Sequence, residues 1–110
     1  MKTIAIIAVS LFALSAVSAR AAAAAKANWT THCAQCHGAD GTANTKMGKT
    51  LNAKNLTDAK VQSGFTDTQA AAAIKDGVKE GGKTKMKAFG DKLSDADVKA
   101  LVAYVRSLKK

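Results

Sequence analysis

Two thiols and an imidazole fall within five consecutive residues, Cys33-Ala34-Gln35-Cys36-His37. Cysteines separated by two residues and followed at once by histidine form the attachment pattern of a covalently bound c-type haem. The spacing has a chemical reason. Each sulfur can add to one of two vinyl groups along one porphyrin edge. His37 is then left over one face of the ring, where a neutral imidazole nitrogen can bind iron. Competing chemistries fit less well. A disulfide across two intervening residues closes a small loop and joins nothing distant. A thioredoxin-like dithiol belongs in a βαβ context, and this chain shows almost no strand pattern. Zinc asks for four ligands, and the region offers Cys33, Cys36 and either His32 or His37.

A second axial ligand has few sources: His32, Met47 and Met86. His32 adjoins Cys33, is pinned to the same side of the ring, and reads as an exposed residue ending the first helix. Met47 follows His37 so soon that it would have to cross the ring edge almost at once. Met86 is far enough along the chain to return on the opposite face, and Gly81-Gly82 before it and Gly90 after it supply loop freedom. Met86 is therefore the expected ligand, with Met47, an open position or a lysine as alternatives. A Met/His pair fills both axial positions, and the soft thioether favours ferrous iron and raises its potential. Such a centre suits the carrying of single electrons better than chemistry on oxygen or peroxide.

Three helices are expected to position these groups. The first runs from Ala21 through the Ala-rich stretch into Trp29 and the motif, unless residues 20–25 are only a low-complexity spacer. The second covers about Thr68 to Gly77, capped by Thr66 or Asp67. The third starts at Ser94-Asp95-Ala96-Asp97, which resembles a capping box with Asp in the usual Glu position. Its Val98, Leu101, Val102, Val105 and Leu108 recur at helical spacing, with Lys99, Arg106, Lys109 and Lys110 pointing elsewhere. Residues 38–66, rich in Gly, Asn, Asp and Thr, read as loop with one short helix near Thr57–Ser63. A loop that long needs something to organise it, and a haem against it would do so.

Lys2, the apolar run Ile4 to Val17 and Val17-Ser18-Ala19 read as an export signal cleaved after Ala19, with Ala21 the alternative site. Residues 1–19 are then signal peptide and residues 20–110 one domain without a transmembrane anchor, exported in soluble form to the periplasm. The apolar run is short for a bilayer span of about 20 residues. Large apolar residues are few in the remaining domain, so a buried haem would supply much of its core. The chain holds 17 Lys+Arg against 8 Asp+Glu, a formal net charge of +9. Scattered lysines and few aromatics argue against nucleic acid and for an acidic protein partner or anionic surface.

The residues together resemble a class I c-type cytochrome of the small monohaem bacterial kind, over about Ala22 to Leu108. Trp29 stands four positions before Cys33, where that family has an aromatic. The attachment segment carries over as thioether sites Cys33 and Cys36 with proximal ligand His37. Asn55-Leu56-Thr57 resembles the segment beside the haem, and Met86-Lys87-Ala88-Phe89 the distal Met-Pro-x-Phe segment. Leu93 to Leu108 is similar to the C-terminal helix, whose aromatic meets the first helix. The resemblance implies an all-α fold, three to five short helices around one covalent haem c, in which Trp29, Leu101 and Tyr104 or Val105 lie where the first and last helices cross.

Two departures stand out. Lys87 replaces the proline after the methionine. No proline is present on the proximal side either, so the His37 ring N–H needs another acceptor, expected to be a backbone carbonyl in residues 40–50. By analogy electrons pass at the haem edge near the thioethers, with Lys46, Lys49 and Lys54 and with Lys83, Lys85 and Lys87 as candidate docking residues. Three functions follow: a diffusible, monomeric periplasmic electron carrier rather than an enzyme, which is the preferred reading; an electron-transfer subunit of a larger oxidoreductase; and a haem sensor or peroxidase with a labile sixth ligand. Partners would be acidic redox proteins, either respiratory or photosynthetic complexes or soluble reductases.

Overall fold

The computed structural model of the protein describes residues 18–110. The expected signal peptide therefore lies outside the described residues, apart from Ser18 and Ala19. Helix α1 (Ala19–Asn28) is capped by the Ser18 hydroxyl, which accepts from the Ala21 amide at 3.1 Å. The Ala-rich stretch is thus helix and not spacer. It continues as one π-helical turn, Trp29–Cys33, whose defining bond runs from the Ala34 amide to the Trp29 carbonyl, and then as α2 (Ala34–His37).

The wide turn has a packing consequence. Ala21, Ala25, Trp29 and Cys33 are spaced four apart and all pack into the core. Each four-residue step in an α-helix overshoots a full turn by about 40°. A turn closed by i→i+5 bonds winds less per residue, so it takes back part of that drift and keeps Cys33 on the core side.

The expected loop holds two short helices, α3 (Lys46–Thr50) and α4 (Ala59–Ser63). The second was legible in the sequence and the first was not. α5 (Asp67–Asp76) is capped by Thr66 in a full capping box with Gln69. α6 (Asp95–Ser107) starts with the Ser94–Asp97 capping box, so aspartate serves where glutamate is usual. Between α5 and α6 lies an unexpected element, the antiparallel hairpin β1 (Val78–Glu80) and β2 (Lys83–Met86). It pairs Val78 with Met86 and Glu80 with Lys83, and turns at Gly81-Gly82. The other regular elements among the described residues are helices, in keeping with the expected fold class.

The core lies where α1 crosses α6. Ala25 and Trp29 from α1 and its extension meet Val98, Leu101, Val102 and Val105 from α6, with Ile74 and Leu93 closing the sides. Small alanines along α1 let the two axes approach, and Leu101 is the most enclosed large side chain. Arg106, which the sequence places off the apolar face of α6, is a tie. Its guanidinium donates to the Phe65 carbonyl (2.8 Å), to the Gln62 side chain (3.0 Å) and backbone carbonyl, and to Asp67 (2.8 Å). It also lies 4.4 Å from the centroid of the Phe65 ring. Gln62, 3% exposed, completes this knot by donating to the Leu56 and Val105 carbonyls. α4 and its flanking loops are thereby fastened to α6 by polar bonds, beside the packing of Leu56 and Phe65 against the core.

Candidate haem-binding site

Cys33 and Cys36 are free thiols, Cys33 buried and Cys36 half-buried. Burial, with Cys36 alongside, pushes the Cys33 thiol up to about 11.

His37 ends α2 and is held by packing. Its ring lies 5.6 Å from Trp29, and Trp29 in turn lies 5.3 Å from Tyr104 on α6. The Trp29 indole N–H donates to the Gly38 carbonyl at 3.0 Å. One aromatic side chain therefore ties the imidazole, the residue following it and the C-terminal helix together. The sequence reading gave Trp29 only a packing role. Its four-residue distance from Cys33 was visible, but the bond to Gly38 was not.

Burial holds the His37 imidazole below the usual histidine range, which favours the neutral form able to donate to a metal. Its Nδ1 is buried and without a hydrogen-bond partner among the described residues. The expected backbone acceptor in residues 40–50 is therefore not found. The backbone bonds of that segment go elsewhere. The Ala43 amide donates to the His37 carbonyl (2.8 Å), and the Thr45 hydroxyl donates to the Cys36 carbonyl (2.7 Å) while accepting from the Gly48 amide.

These bonds seat α3 directly beneath the motif. A Cβ on Gly48 would come 2.4 Å from the Cys36 carbonyl and 2.5 Å from the Ala43 carbonyl. Only glycine allows that approach. The Leu56 amide donates to the Gly41 carbonyl at 2.8 Å, which brings Asn55-Leu56-Thr57 back towards the same loop.

The two methionines differ in setting. Met47, on α3, is 39% exposed. Met86 ends β2, is half-buried and packs against the core. The segment after it is firmly held: the Phe89 amide donates to the Ile74 carbonyl (2.9 Å) and the Gly90 amide to the Lys75 carbonyl (3.1 Å). His32 is also not the free residue expected at a helix end. It is half-buried in the π turn, with its ring 5.6 Å from Phe89.

Lys46 and Lys49 are exposed on α3, next to the attachment segment, and exposed Lys54 follows that helix. Strand alternation directs Lys83 and Lys85 to the face of the hairpin opposite Met86. None of the six lysines forms a salt bridge among the described residues. The groove of about 490 Å³ between α5 and α6, lined by Asp67, Ala71, Lys75, Asp95, Val98 and Val102 among others, shares no residue with the motif.

The donor set and its setting fit a covalently held haem: two thiols free of a disulfide, a half-buried imidazole favoured in its neutral form, and a core-packed thioether. Comparisons with known proteins agree. Residues 20–105 match the family model described as cytochrome C oxidase, cbb3-type, subunit III. The chain is 37% identical over 80 residues to the cbb3-type cytochrome c oxidase subunit FixP of Azorhizobium caulinodans. That match covers 73% of this chain and spans about a quarter of the relative's length, 25%. Among solved structures, the KustC0563 c-type cytochrome is 36% identical with a TM-score of 0.70, over 78% of this chain and 98% of that one. A mutant of the same cytochrome gives 35% and 0.67, over 77% and 98%. With the motif, the helical fold and these likenesses in agreement, the chain belongs to the cbb3-type cytochrome c oxidase subunit III family and is a class I c-type cytochrome with covalently bound haem c.

Proposed function

We propose that this chain is a one-electron carrier working outside the cytoplasm, attached to its haem through Cys33 and Cys36, with His37 and Met86 as axial ligands. The observation that carries the reading is the contrast between the methionines: Met86 is packed against the core and anchored on both sides, whereas Met47 faces solvent. When bound, the haem supplies an iron that takes up and releases one electron. The chain's own residues do the rest. Trp29 holds the imidazole in place, burial keeps it neutral, and the Met86 thioether favours the reduced state. Filling both axial positions leaves no ready site for a small substrate.

Export is supported by Lys2 and the apolar run Ile4 to Val17, read as a signal peptide of residues 1–19. No helix among the described residues is long and apolar enough to cross a membrane. Residues 20–110 then form one monomeric domain that docks acidic redox proteins through Lys46, Lys49 and Lys54 and through Lys83, Lys85 and Lys87.

A second reading is an electron-transfer subunit of a larger oxidoreductase. It is favoured by the likeness to FixP, which is named as an oxidase subunit and is much longer than this chain. Fractionation of native cells separates the two. Recovery in the soluble periplasmic extract supports the free carrier, and co-purification with a membrane complex supports the subunit.

Spectroscopy tests the ligands. The oxidised protein should show the weak far-red band of sulfur-to-iron ligation, lost in Met86→Ala and kept in Met47→Ala. Loss in Met47→Ala alone would overturn the assignment.

A further inference from the structure

We propose that Gly77 is the residue that positions Met86, standing in for the proline this chain lacks. The inference rests on Met86 as the second axial ligand. Lys87 follows that methionine, so nothing in the segment's own sequence stiffens it. The rigidity comes instead from the end of α5. The α5 carbonyls of Ile74 and Lys75, which lack helical partners at a C-terminus, accept from the amides of Phe89 and Gly90. The methionine-bearing segment is in effect the C-terminal cap of α5.

That arrangement demands close contact between two backbones. Gly77 adopts φ +76°, and a Cβ there would lie 2.6 Å from the Met86 carbonyl oxygen, 2.9 Å from the Ala88 amide nitrogen and 3.1 Å from the Lys87 carbonyl carbon. All three are backbone atoms, so no side chain can swing away to make room. Gly90 repeats the approach from the other direction, its Cβ position 3.0 Å from the Lys75 carbonyl. The β1–β2 pairing of Val78 with Met86 closes the unit. Any side chain at position 77 must push the Met86–Ala88 backbone away from α5 and carry the thioether with it.

Gly81 provides the control. It also has a positive φ, +57°, but a Cβ there meets nothing within 4 Å. Backbone strain without close approach is thus available in the same hairpin.

The experiment compares the natively matured, haem-loaded Gly77→Ala, Gly90→Ala, Gly81→Ala and Met86→Ala variants, each checked for helical circular dichroism and covalent haem. Expected results are loss of the far-red sulfur-to-iron band and new carbon monoxide binding by reduced Gly77→Ala, a weaker form of both changes in Gly90→Ala, and wild-type behaviour in Gly81→Ala. If Gly77→Ala fails to fold, Gly90→Ala carries the test. A wild-type band in folded Gly77→Ala, or in Gly90→Ala where Gly77→Ala fails to fold, with the band lost in Met86→Ala, would overturn the positioning role alone. Equal loss in Gly81→Ala would overturn it as well, since strain without contact would then suffice. A band that survives in Met86→Ala would overturn the ligand assignment on which the proposal stands.

Discussion

Replacing Gln62 by leucine removes the centre of the polar knot while keeping its apolar bulk. Gln62 Nε2 donates to the Leu56 carbonyl at 2.6 Å and to the Val105 carbonyl at 2.8 Å, and Oε1 accepts from Arg106 at 3.0 Å. A neutral hydrogen bond contributes about 1 kcal/mol and one to a charged group about 1.5–3 kcal/mol. The straight sum is too high, because the Val105 carbonyl keeps the Leu108 amide and Arg106 keeps the Phe65 carbonyl. The Leu56 carbonyl keeps no other donor among the described residues. A loss of about 2–3 kcal/mol is therefore expected, or a fall in Tm of about 10–20 °C for a domain of this size. The assay is denaturant unfolding of the haem-loaded protein followed by helical circular dichroism. Ser63→Ala, next in the chain but exposed, should change stability by less than about 0.5 kcal/mol. Asp67→Asn should cost less than about 1 kcal/mol, since that carboxylate is largely solvated. A Gln62→Leu loss below about 1 kcal/mol would refute the claim that these buried polar bonds hold α4 to α6 beyond the apolar packing of Leu56 and Phe65.

Ser94→Ala removes the α6 cap and should cost about 1 kcal/mol by denaturant unfolding. Lys46→Gln/Lys49→Gln should slow reduction by an acidic redox protein at low salt, with the difference shrinking as ionic strength rises. A salt-independent rate in the wild type would remove the docking role.

Elements governed by local chemistry were legible in the chain. Ser94 and Asp97 announce the start of α6, Thr66 that of α5, and the Val98–Leu108 spacing its buried face. The spacing of Cys33, Cys36 and His37 alone pointed to a covalent haem, the cofactor that the family carries. What escaped depends on contacts between distant segments. The hairpin has only three- and four-residue strands, too short for alternation to register, and it forms because Met86 and Val78 are brought opposite each other. α3 begins at Thr45, whose hydroxyl is recruited by the Cys36 carbonyl from another part of the chain. Gln62 and Arg106 look like surface residues until each finds the other across a long stretch of intervening sequence.

The π turn at Trp29–Cys33 stores one residue of slack. Without one of Thr30, Thr31 or His32, ordinary α winding would leave Trp29 and Cys33 about 60° apart around the axis, still on one side of the helix. Without two, they would stand about 160° apart, and the alanine stripe could face α6 only if the thiols turned to water. Homologous chains can therefore lack a single residue here and keep both the helix crossing and the attachment point, whereas the loss of two must sacrifice one of them.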